Sequence, residues 1–303
     1  MIDQTRDAVL LSCHGTVADL ADVPAFLANI RRGRPAPPEM VKEIQHRLEA
    51  IGGSPLMRHT QDQADGLAAR LGIPCVIAGR LWGPYPDAVL GMLANGGRAR
   101  VLSLPLAPQS VHVYNQAVRA AAASIEPALT IVDAPTWGNQ PALIDAFADT
   151  VRQGLVRAAA LHAGPPSQTA IVLSAHSLPM RILASGDPYE KQFRAMADLV
   201  AARFEASGHP VTIAFQSQGM TDDAWLGPDL PTTFRSLREA GARAVVVAPI
   251  GFLAEHVETL YDLDVDAPKI AAAAGVAYAR APAPCAHPRL IDALEAVARQ
   301  ALS

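Results

Sequence analysis

Residues 10–15 read LLSCHG and residues 172–177 read VLSAHS, so an apolar strand that ends in Ser-x-His begins each half of the chain. We interpret this similarity as an internal duplication. A chance match is the competing explanation, because apolar strand starts are common. The stretch AGPPSQ at 163–168 is rich in structure-breaking residues and is the best candidate for a linker. The sequence therefore predicts a first domain at 1–163 and a second at 164–303, with the C-terminal helix free to pack back on the first domain.

Short apolar runs alternate with longer amphipathic stretches along the chain. Such runs are typical of strands that are buried on both faces of a parallel sheet. The alternation predicts an α/β fold of two similar domains, each a four-stranded parallel sheet flanked by helices. The predicted strands are 8–13, 75–78, 101–104, 129–132, 170–174, 211–215, 244–248 and 276–278. The predicted helices are 38–51, 60–71, 87–94, 141–161, 189–206, 230–240 and 288–302.

The composition argues against several classes of protein. The chain has 303 residues and a formal net charge of -4, so it lacks the basic surface expected of a nucleic-acid-binding protein. Its three cysteines are far apart, which argues against a disulfide framework, a structural zinc site or an iron–sulfur cluster. The first residues lack the pattern of a signal peptide, and no apolar run reaches the roughly 18 residues of a membrane span. We therefore expect a cytoplasmic protein.

Two histidines lie where ligands bind in parallel sheets. His14 and His176 each end a predicted strand region, and ligands of open parallel sheets bind outside the carboxyl ends of the strands. For a single histidine, a hydrogen bond that caps the strand end is the simpler explanation. The repeated placement favours a functional site, with both imidazoles facing a cleft between the two domains.

An acidic segment follows the apolar strand AVVVAPIGF. Residues 255–266 read EHVETLYDLDVD, in which Glu258, Asp262 and Asp266 are spaced by four and would form one stripe on a helix. A solvated acidic face is the usual explanation of such a stripe. The stripe begins at the end of a strand, however, and no lysine or arginine four residues away offsets its charges. These features favour a bound divalent cation, and carboxylates with imidazole suit iron, cobalt, nickel or zinc.

Several longer motifs resemble those of the ferrochelatases, in the family's order and over almost the whole chain. The most specific are WLGPDL at 225–230 and PIGFLAEHVETLYDLD at 249–264. The others are SAHSLP at 174–179, GDPY at 186–189, QS at 216–217, NIRRGRPAPPEM at 29–40 and EAIGGSPL at 49–56. The resemblance implies a lyase that inserts Fe(II) into a porphyrin during haem synthesis and releases the inner protons of the ring. It also implies two similar α/β domains with the porphyrin between them, Fe(II) as the substrate metal and no organic cofactor.

The resemblance also implies roles for individual residues. His176 matches the family's essential histidine and Glu258 its essential glutamate, so both are candidate catalytic residues and candidate metal ligands. Asp262 and Asp266 continue an acidic path for metal or protons, and they are candidate ligands of a second divalent cation. Which member of the pair is the base and which the ligand stays open at this point.

The candidate porphyrin contacts lie in the first half of the chain. Arg31, Arg47, Ser54 and Tyr114 match tetrapyrrole contacts of the family by position, and the guanidinium fork suits propionate groups. Trp137 is a candidate wall for stacking on the ring, although large aromatic side chains are as often core residues.

His14 is both a candidate porphyrin contact and a candidate metal ligand. It stands where Gram-positive members carry tyrosine before Gly-Thr, so a cobalt or nickel tetrapyrrole chelatase is one alternative function. A non-catalytic porphyrin or haem carrier is another, but a carrier need not retain both His176 and Glu258. The porphyrin itself, coproporphyrin III or protoporphyrin IX, stays open. The expected partners are the porphyrin, ferrous iron and, transiently, other enzymes of haem synthesis, with no nucleic acid, and a monomer is compatible with this arrangement.

Overall fold

The computed structural model describes residues 2–219 and 223–303, which form two compact units. Unit 1 comprises the chain as far as Trp137 together with Cys285–Ser303. Unit 2 is Gly138–Pro284. In the described part of the chain, every helix is too short or too polar to span a membrane.

Unit 1 contains a four-stranded parallel sheet in the order β2-β1-β3-β4. The central strand β1 is buried along its whole length, because its apolar side chains are covered by helices on both faces. The edge strand β4 is the most exposed. The strands are β1 Asp7–Cys13, β2 Cys75–Gly79, β3 Arg100–Pro105 and β4 Thr130–Asp133. The helices are α1 Val23–Ile30, α2 Pro38–Ala50, α3 Leu56–Leu71, α4 Pro86–Asn95 and α5 Val111–Ala122, with a 3-10 turn at Leu20–Asp22.

Unit 2 repeats this architecture with a sheet in the order β6-β5-β7-β8, again parallel throughout. The strands are β5 Thr169–His176, β6 Val211–Gln216, β7 Ala244–Ala248 and β8 Ala277–Arg280. The helices are α6 Pro141–Leu161, α7 Met180–Ala184, α8 Tyr189–Ala201, α9 Leu230–Glu239, α10 Val257–Tyr261 and α11 Ala267–Ala274. One π-helical turn, Asp262–Asp266, joins α10 to α11, and 3-10 turns lie at Pro166–Gln168 and Ala202–Ser207.

The predicted fold class is confirmed. All eight predicted strands form, and each set of four adopts the same order of neighbours, with the first strand of the unit in the second place. The shared order supports the internal duplication, because β1 and β5, which carry the two Ser-x-His sequences, occupy equivalent positions. The Ser-x-His sequences therefore end equivalent strands.

The compact units differ from the predicted domain boundary at 163/164. Helix α6 belongs to unit 2, because it packs on β7 and β8 of that sheet. Gly154 allows the close approach: a Cβ atom there would lie 2.5 Å from Val246 Cγ1. The linker 163–168 therefore lies inside unit 2. The last helix, α12 Pro288–Ala301, belongs to unit 1 and packs on α3, so the C-terminal helix does return to the first half of the chain.

Candidate active site

The backbone around His176 is held by hydrogen bonds at the end of β5. The Tyr189 hydroxyl donates to the His176 carbonyl oxygen at 2.8 Å, and burial raises the pKa of Tyr189, so the phenol stays protonated as a donor. The Ser177 backbone N–H donates to the Gln216 carbonyl oxygen at 2.7 Å. These contacts direct the His176 side chain out of the carboxyl end of the sheet.

The loop around Gly251 brings the acidic helix, which we define as α10 and the π turn that follows it, to the carboxyl end of β5. The Gly251 N–H donates to the Ser174 carbonyl oxygen at 3.0 Å, and a Cβ atom at Gly251 would lie 2.5 Å from Ala175 Cβ. Any larger residue would therefore push the loop away from β5. The loop then ends at His256, which caps α10.

The cap of α10 is a histidine in place of the usual serine or threonine. His256 Nδ1 accepts from the Thr259 backbone N–H at 3.3 Å, and Thr259 Oγ1 accepts from the His256 N–H at 2.9 Å. Burial lowers the pKa of His256, so the ring stays neutral and Nδ1 stays free to accept. The reciprocal pair fixes the first turn of α10, which carries Glu258.

The side chains of His176 and Glu258 contact each other at the carboxyl end of β5. His176 Nδ1 and Glu258 Oε2 are 2.8 Å apart, and the side chains are 32% and 34% exposed. Because an ionised carboxylate only accepts, the proton of this bond lies on Nδ1, which leaves Nε2 with its lone pair. Burial lowers the pKa of His176, but the Glu258 charge, the hydrogen bond to it and the Asp262 charge outweigh burial, so the pKa is raised. The contact with Glu258 therefore makes the His176 imidazole more basic than a free imidazole.

Two residues at the end of β6 contact the acidic helix. Gln216 Nε2 donates to the Glu258 carbonyl oxygen at 3.1 Å, and Gln216 Oε1 accepts from Ser174 Oγ at 2.7 Å. Ser217 Oγ donates to Asp262 Oδ2. The sequence analysis noted these two residues only as a QS motif, because a polar pair that ends a strand has no periodicity to reveal its partners.

The predicted acidic stripe does not run straight. The π turn between α10 and α11 inserts a wider turn within the stripe, so the spacing of an uninterrupted α-helix no longer applies. Asp262 remains beside the site, where its charge raises the pKa of His176. Asp266 instead pairs with the exposed Lys269 at 2.9 Å. The predicted second cation at Asp262 and Asp266 stays a prediction, and the Lys269 contact does not favour it.

The predicted ligands do not form a ready-made cage for a metal. Within residues 2–219 and 223–303, no group of three or more His, Cys, Asp or Glu side chains is arranged to hold a metal ion. His176, Glu258 and Asp262 come together as neighbours, whereas Asp266 turns to Lys269.

The end of β1 in unit 1 places His14 among aromatic side chains. His14 Nδ1 lies 3.2 Å from the Gly15 carbonyl oxygen, and the ring packs edge-on against Phe26 with centroids 5.9 Å apart. Gly15 has a φ of 86°, and a Cβ atom there would lie 2.8 Å from backbone atoms of Trp82. Glycine is therefore required beside His14, and the half-buried imidazole is fixed by packing.

Three predicted porphyrin contacts keep accessible surface in unit 1. Ser54 lines an open cleft of about 330 Å³, together with Arg58 and residues 17–18, 52–53 and 55, and its buried hydroxyl has no hydrogen-bond partner among the described residues. Arg31 Nε donates to the Pro35 carbonyl oxygen at 3.2 Å. Arg47 Nε donates to Glu43 at 2.7 Å within α2. Their contact with the porphyrin stays a prediction.

The two predicted aromatic contacts are less accessible. Trp137 has no exposed surface, and its indole N–H donates to the Pro105 carbonyl oxygen at 3.1 Å. The prediction that Trp137 forms a wall for the ring is therefore wrong: the side chain is a core residue whose polar atom is satisfied by the end of β3. Tyr114 is 9% exposed and lies under the Arg80 guanidinium, 5.4 Å from the ring centroid.

Comparisons with known proteins show the family of the chain. The ferrochelatase family profile matches residues 6–302. A coproporphyrin III ferrochelatase of Anoxybacillus flavithermus is 36% identical over 303 residues, which cover 95% of this chain and 94% of that protein. A ferrochelatase of Acidobacterium capsulatum is 35% identical over 280 residues, covering 86% of this chain and 84% of that protein.

A solved structure shares the fold. SirB from Bacillus subtilis with Fe3+ matches with a TM-score of 0.59 at 15% identity, covering 98% of this chain and 96% of that chain. At this identity the likeness concerns the fold alone, whereas the family rests on the sequence matches. The chain therefore belongs to the ferrochelatase family and is a metal chelatase that inserts iron into a porphyrin in haem synthesis.

Proposed function

We propose that this chain inserts Fe(II) into coproporphyrin III, that His176 accepts the inner protons of the ring, and that Glu258 strengthens His176 as a base. The observation that carries the proposal is the 2.8 Å contact between His176 Nδ1 and Glu258 Oε2 at the end of β5. It supports a base, because the carboxylate fixes the tautomer that leaves Nε2 as a proton acceptor.

The proton transfer follows from this geometry. A porphyrin N–H bond breaks as Nε2 of the neutral imidazole takes the proton, and the imidazolium that forms is stabilised by the adjacent Glu258 carboxylate. Release of that proton to solvent restores the neutral ring for the next transfer. The freed pyrrole nitrogens then bind the iron. Asp262 adds a second negative charge beside the pair, which attracts a divalent cation.

The choice of coproporphyrin III rests on two supports. The first is the 36% identical relative that is named for this substrate. The second is the basic loop between α1 and α2, in which Arg32 and Arg34 are exposed. Coproporphyrin III carries more propionates than protoporphyrin IX, so it gains more from a cluster of guanidinium groups.

An anaerobic metallation assay tests the proposal. Purified protein is mixed with Fe(II) and either porphyrin, and the Soret band is followed. We expect coproporphyrin III to be metallated faster than protoporphyrin IX. Equal or faster metallation of protoporphyrin IX would contradict the choice of substrate, and metallation by Co(II) with none by Fe(II) would contradict the choice of metal.

A pair of arginine variants sharpens the substrate test. Arg34→Gln should raise the KM for coproporphyrin III by about fivefold, the effect of one exposed charge contact. Arg235→Gln is the matched control, because Arg235 is equally exposed but lies on α9 of unit 2. If Arg34→Gln and Arg235→Gln have the same KM for coproporphyrin III, Arg34 in the loop between α1 and α2 does not contribute to porphyrin binding.

A further inference from the structure

Arg280, the last residue of β8, is a buried cation with two acidic partners. Its side chain is 10% exposed, and its Nη1 donates to Glu255 Oε1 at 2.7 Å. The same guanidinium donates to both oxygens of Asp264, from Nε at 2.7 Å and from Nη2 at 2.9 Å. One planar fork thus binds two carboxylates, which a lysine ammonium does not reproduce.

Glu255 and Asp264 flank, in sequence, the two acidic residues of the candidate site. Glu255 directly precedes the capping residue His256, and Asp264 lies within the π turn. Glu258 and Asp262 lie between them. A single side chain therefore ties the entry to α10 and the π turn to the same point of strand β8.

Strand β8 makes a further contact with the π turn. The Tyr278 hydroxyl donates to the Leu263 carbonyl oxygen at 2.6 Å. A π turn is rare and departs from the regular ladder of an α-helix, so it needs support from outside the helix. The contacts from Tyr278 and Arg280 supply that support and hold the wider turn in place.

Stability alone does not explain this cluster. Burial raises the pKa of Glu255, but the Arg280 charge and the hydrogen bonds lower it further, so the carboxylate is ionised at neutral pH. Glu255 Oε1 also accepts from the Ala283 N–H at 2.9 Å, while Oε2 is buried with no partner among the described residues. Removing charges from water offsets much of the gain from pairing them, so such a cluster adds little net stability. The cluster instead fixes the positions of Glu255 and Asp264 relative to β8.

We propose that Arg280 is a positioning residue, which sets Glu258 and Asp262 against His176 by tying Glu255 and Asp264 to β8. The Arg280 guanidinium donates to Glu255, Asp264 and the Ala281 carbonyl oxygen, so it acts on the site through the helix. The proposal rests on the function proposed above for Glu258 and Asp262.

The first test removes one tie without burying a charge. Asp264 is 44% exposed, so Asp264→Asn should fold normally while it weakens the hold on the π turn. We expect kcat for Fe(II) insertion to fall about tenfold, because small misplacements of catalytic groups are costly. The KM for the porphyrin should stay within about twofold, since Arg280 is not proposed to contact the ring.

The matched control is Asp145→Asn. Asp145 is 36% exposed and pairs with Arg203 at 2.9 Å in unit 2, so this variant weakens an Asp–Arg ion pair of a similarly exposed aspartate away from the acidic helix. Its kcat should equal that of the wild type. Equal kcat in Asp264→Asn and Asp145→Asn, with matching thermal midpoints, would overturn the positioning role.

A second variant tests the guanidinium itself. Arg280→Lys keeps the charge but cannot bind both carboxylates, so kcat should fall at least as far as in Asp264→Asn while porphyrin binding persists. Wild-type kcat in Arg280→Lys would also overturn the proposal. If the wild type itself inserts no Fe(II), the proposed function fails. If the wild type inserts Fe(II) and the variants keep the wild-type kcat, the positioning role fails while the proposed function stands.

Discussion

The two Ser-x-His strand ends have the same place in their sheets but different surroundings. In unit 2, Ser174 donates to Gln216, which in turn holds the Glu258 backbone, and His176 meets the Glu258 carboxylate. In unit 1, Ser12 Oγ is buried without a hydrogen-bond partner among the described residues. His14 packs there on Phe26, beside the Gly15 carbonyl oxygen.

The difference teaches how a duplicated fold supports one reactive centre. The strand end provides an imidazole in both units, but the residues that follow decide its chemistry. In unit 2 the Glu258 carboxylate strengthens His176 as a base, and in unit 1 the Phe26 ring packs on His14 and helps to fix its position. His176 is accordingly the proposed base, and His14 stays a predicted contact for the metal or the ring.

The largest expected effect is the loss of the base. His176→Ala should lower kcat for Fe(II) insertion by about 10³-fold, within the range for loss of a general base. The matched control is His209→Ala, because His209 Nδ1 lies 2.9 Å from the Thr169 carbonyl oxygen at the opposite end of β5. A rate in His176→Ala near that of the control would refute the assigned role.

The effect of Glu258 on His176 should be visible in the pH dependence of the rate of Fe(II) insertion. Turnover needs neutral His176, so the rate falls as pH drops through its pKa, which Glu258 raises above the ordinary value of 6.5. Glu258→Gln removes the larger of the two charges that raise the pKa of His176 and leaves burial, which lowers it, opposed only by Asp262, so the acid limb should move to lower pH. We also expect kcat to fall about 10²-fold. An acid limb that stays in place would show that Glu258 does not tune the base.

The other strand end should matter less for proton transfer. His14→Ala should lower kcat less than about tenfold, because this imidazole has no proposed part in taking the ring protons. The KM for Fe(II), or the preference for Fe(II) over Co(II), should change more than kcat. Parallel assays with both metals measure this split. A loss of kcat as large as that of His176→Ala would erase the distinction between the two units.

The smallest effect is expected at the far end of the acidic segment. Asp266→Asn should leave kcat within about twofold of the wild type, because the side chain pairs with Lys269 on an exposed helix surface. Steady-state rates over a range of Fe(II) concentrations test this. A large rise in the KM for Fe(II) would restore the predicted acidic path to Asp266.

Much of this arrangement could be predicted from the sequence. Apolar runs gave all eight strands, and the HVETLYDLD motif paired Glu258 with His176. The helices α1, α5, α7 and α11 were not predicted. Helix α7 has five residues, too few to show a helical period.

Other features had no sequence signal. The Pro-Pro pair at 165–166 is the strongest break in the middle of the chain, yet α6 before it belongs to unit 2 through packing that Gly154 allows. The π turn keeps the four-residue spacing of the acids in sequence while it changes their directions. The burial of Trp137 depends on the distant Pro105 carbonyl oxygen, a tertiary contact that residue type alone does not predict.

The central claim is that His176 and Glu258 act as one unit, and a double-mutant cycle tests it most directly. The kcat for anaerobic Fe(II) insertion is measured for the wild type, His176→Ala, Glu258→Gln and the double variant, with porphyrin binding checked in each. If Glu258 acts through His176, the double variant should be no more than about threefold slower than His176→Ala, because groups that act together lose their effects together. A double variant in which the two losses multiply would contradict the account.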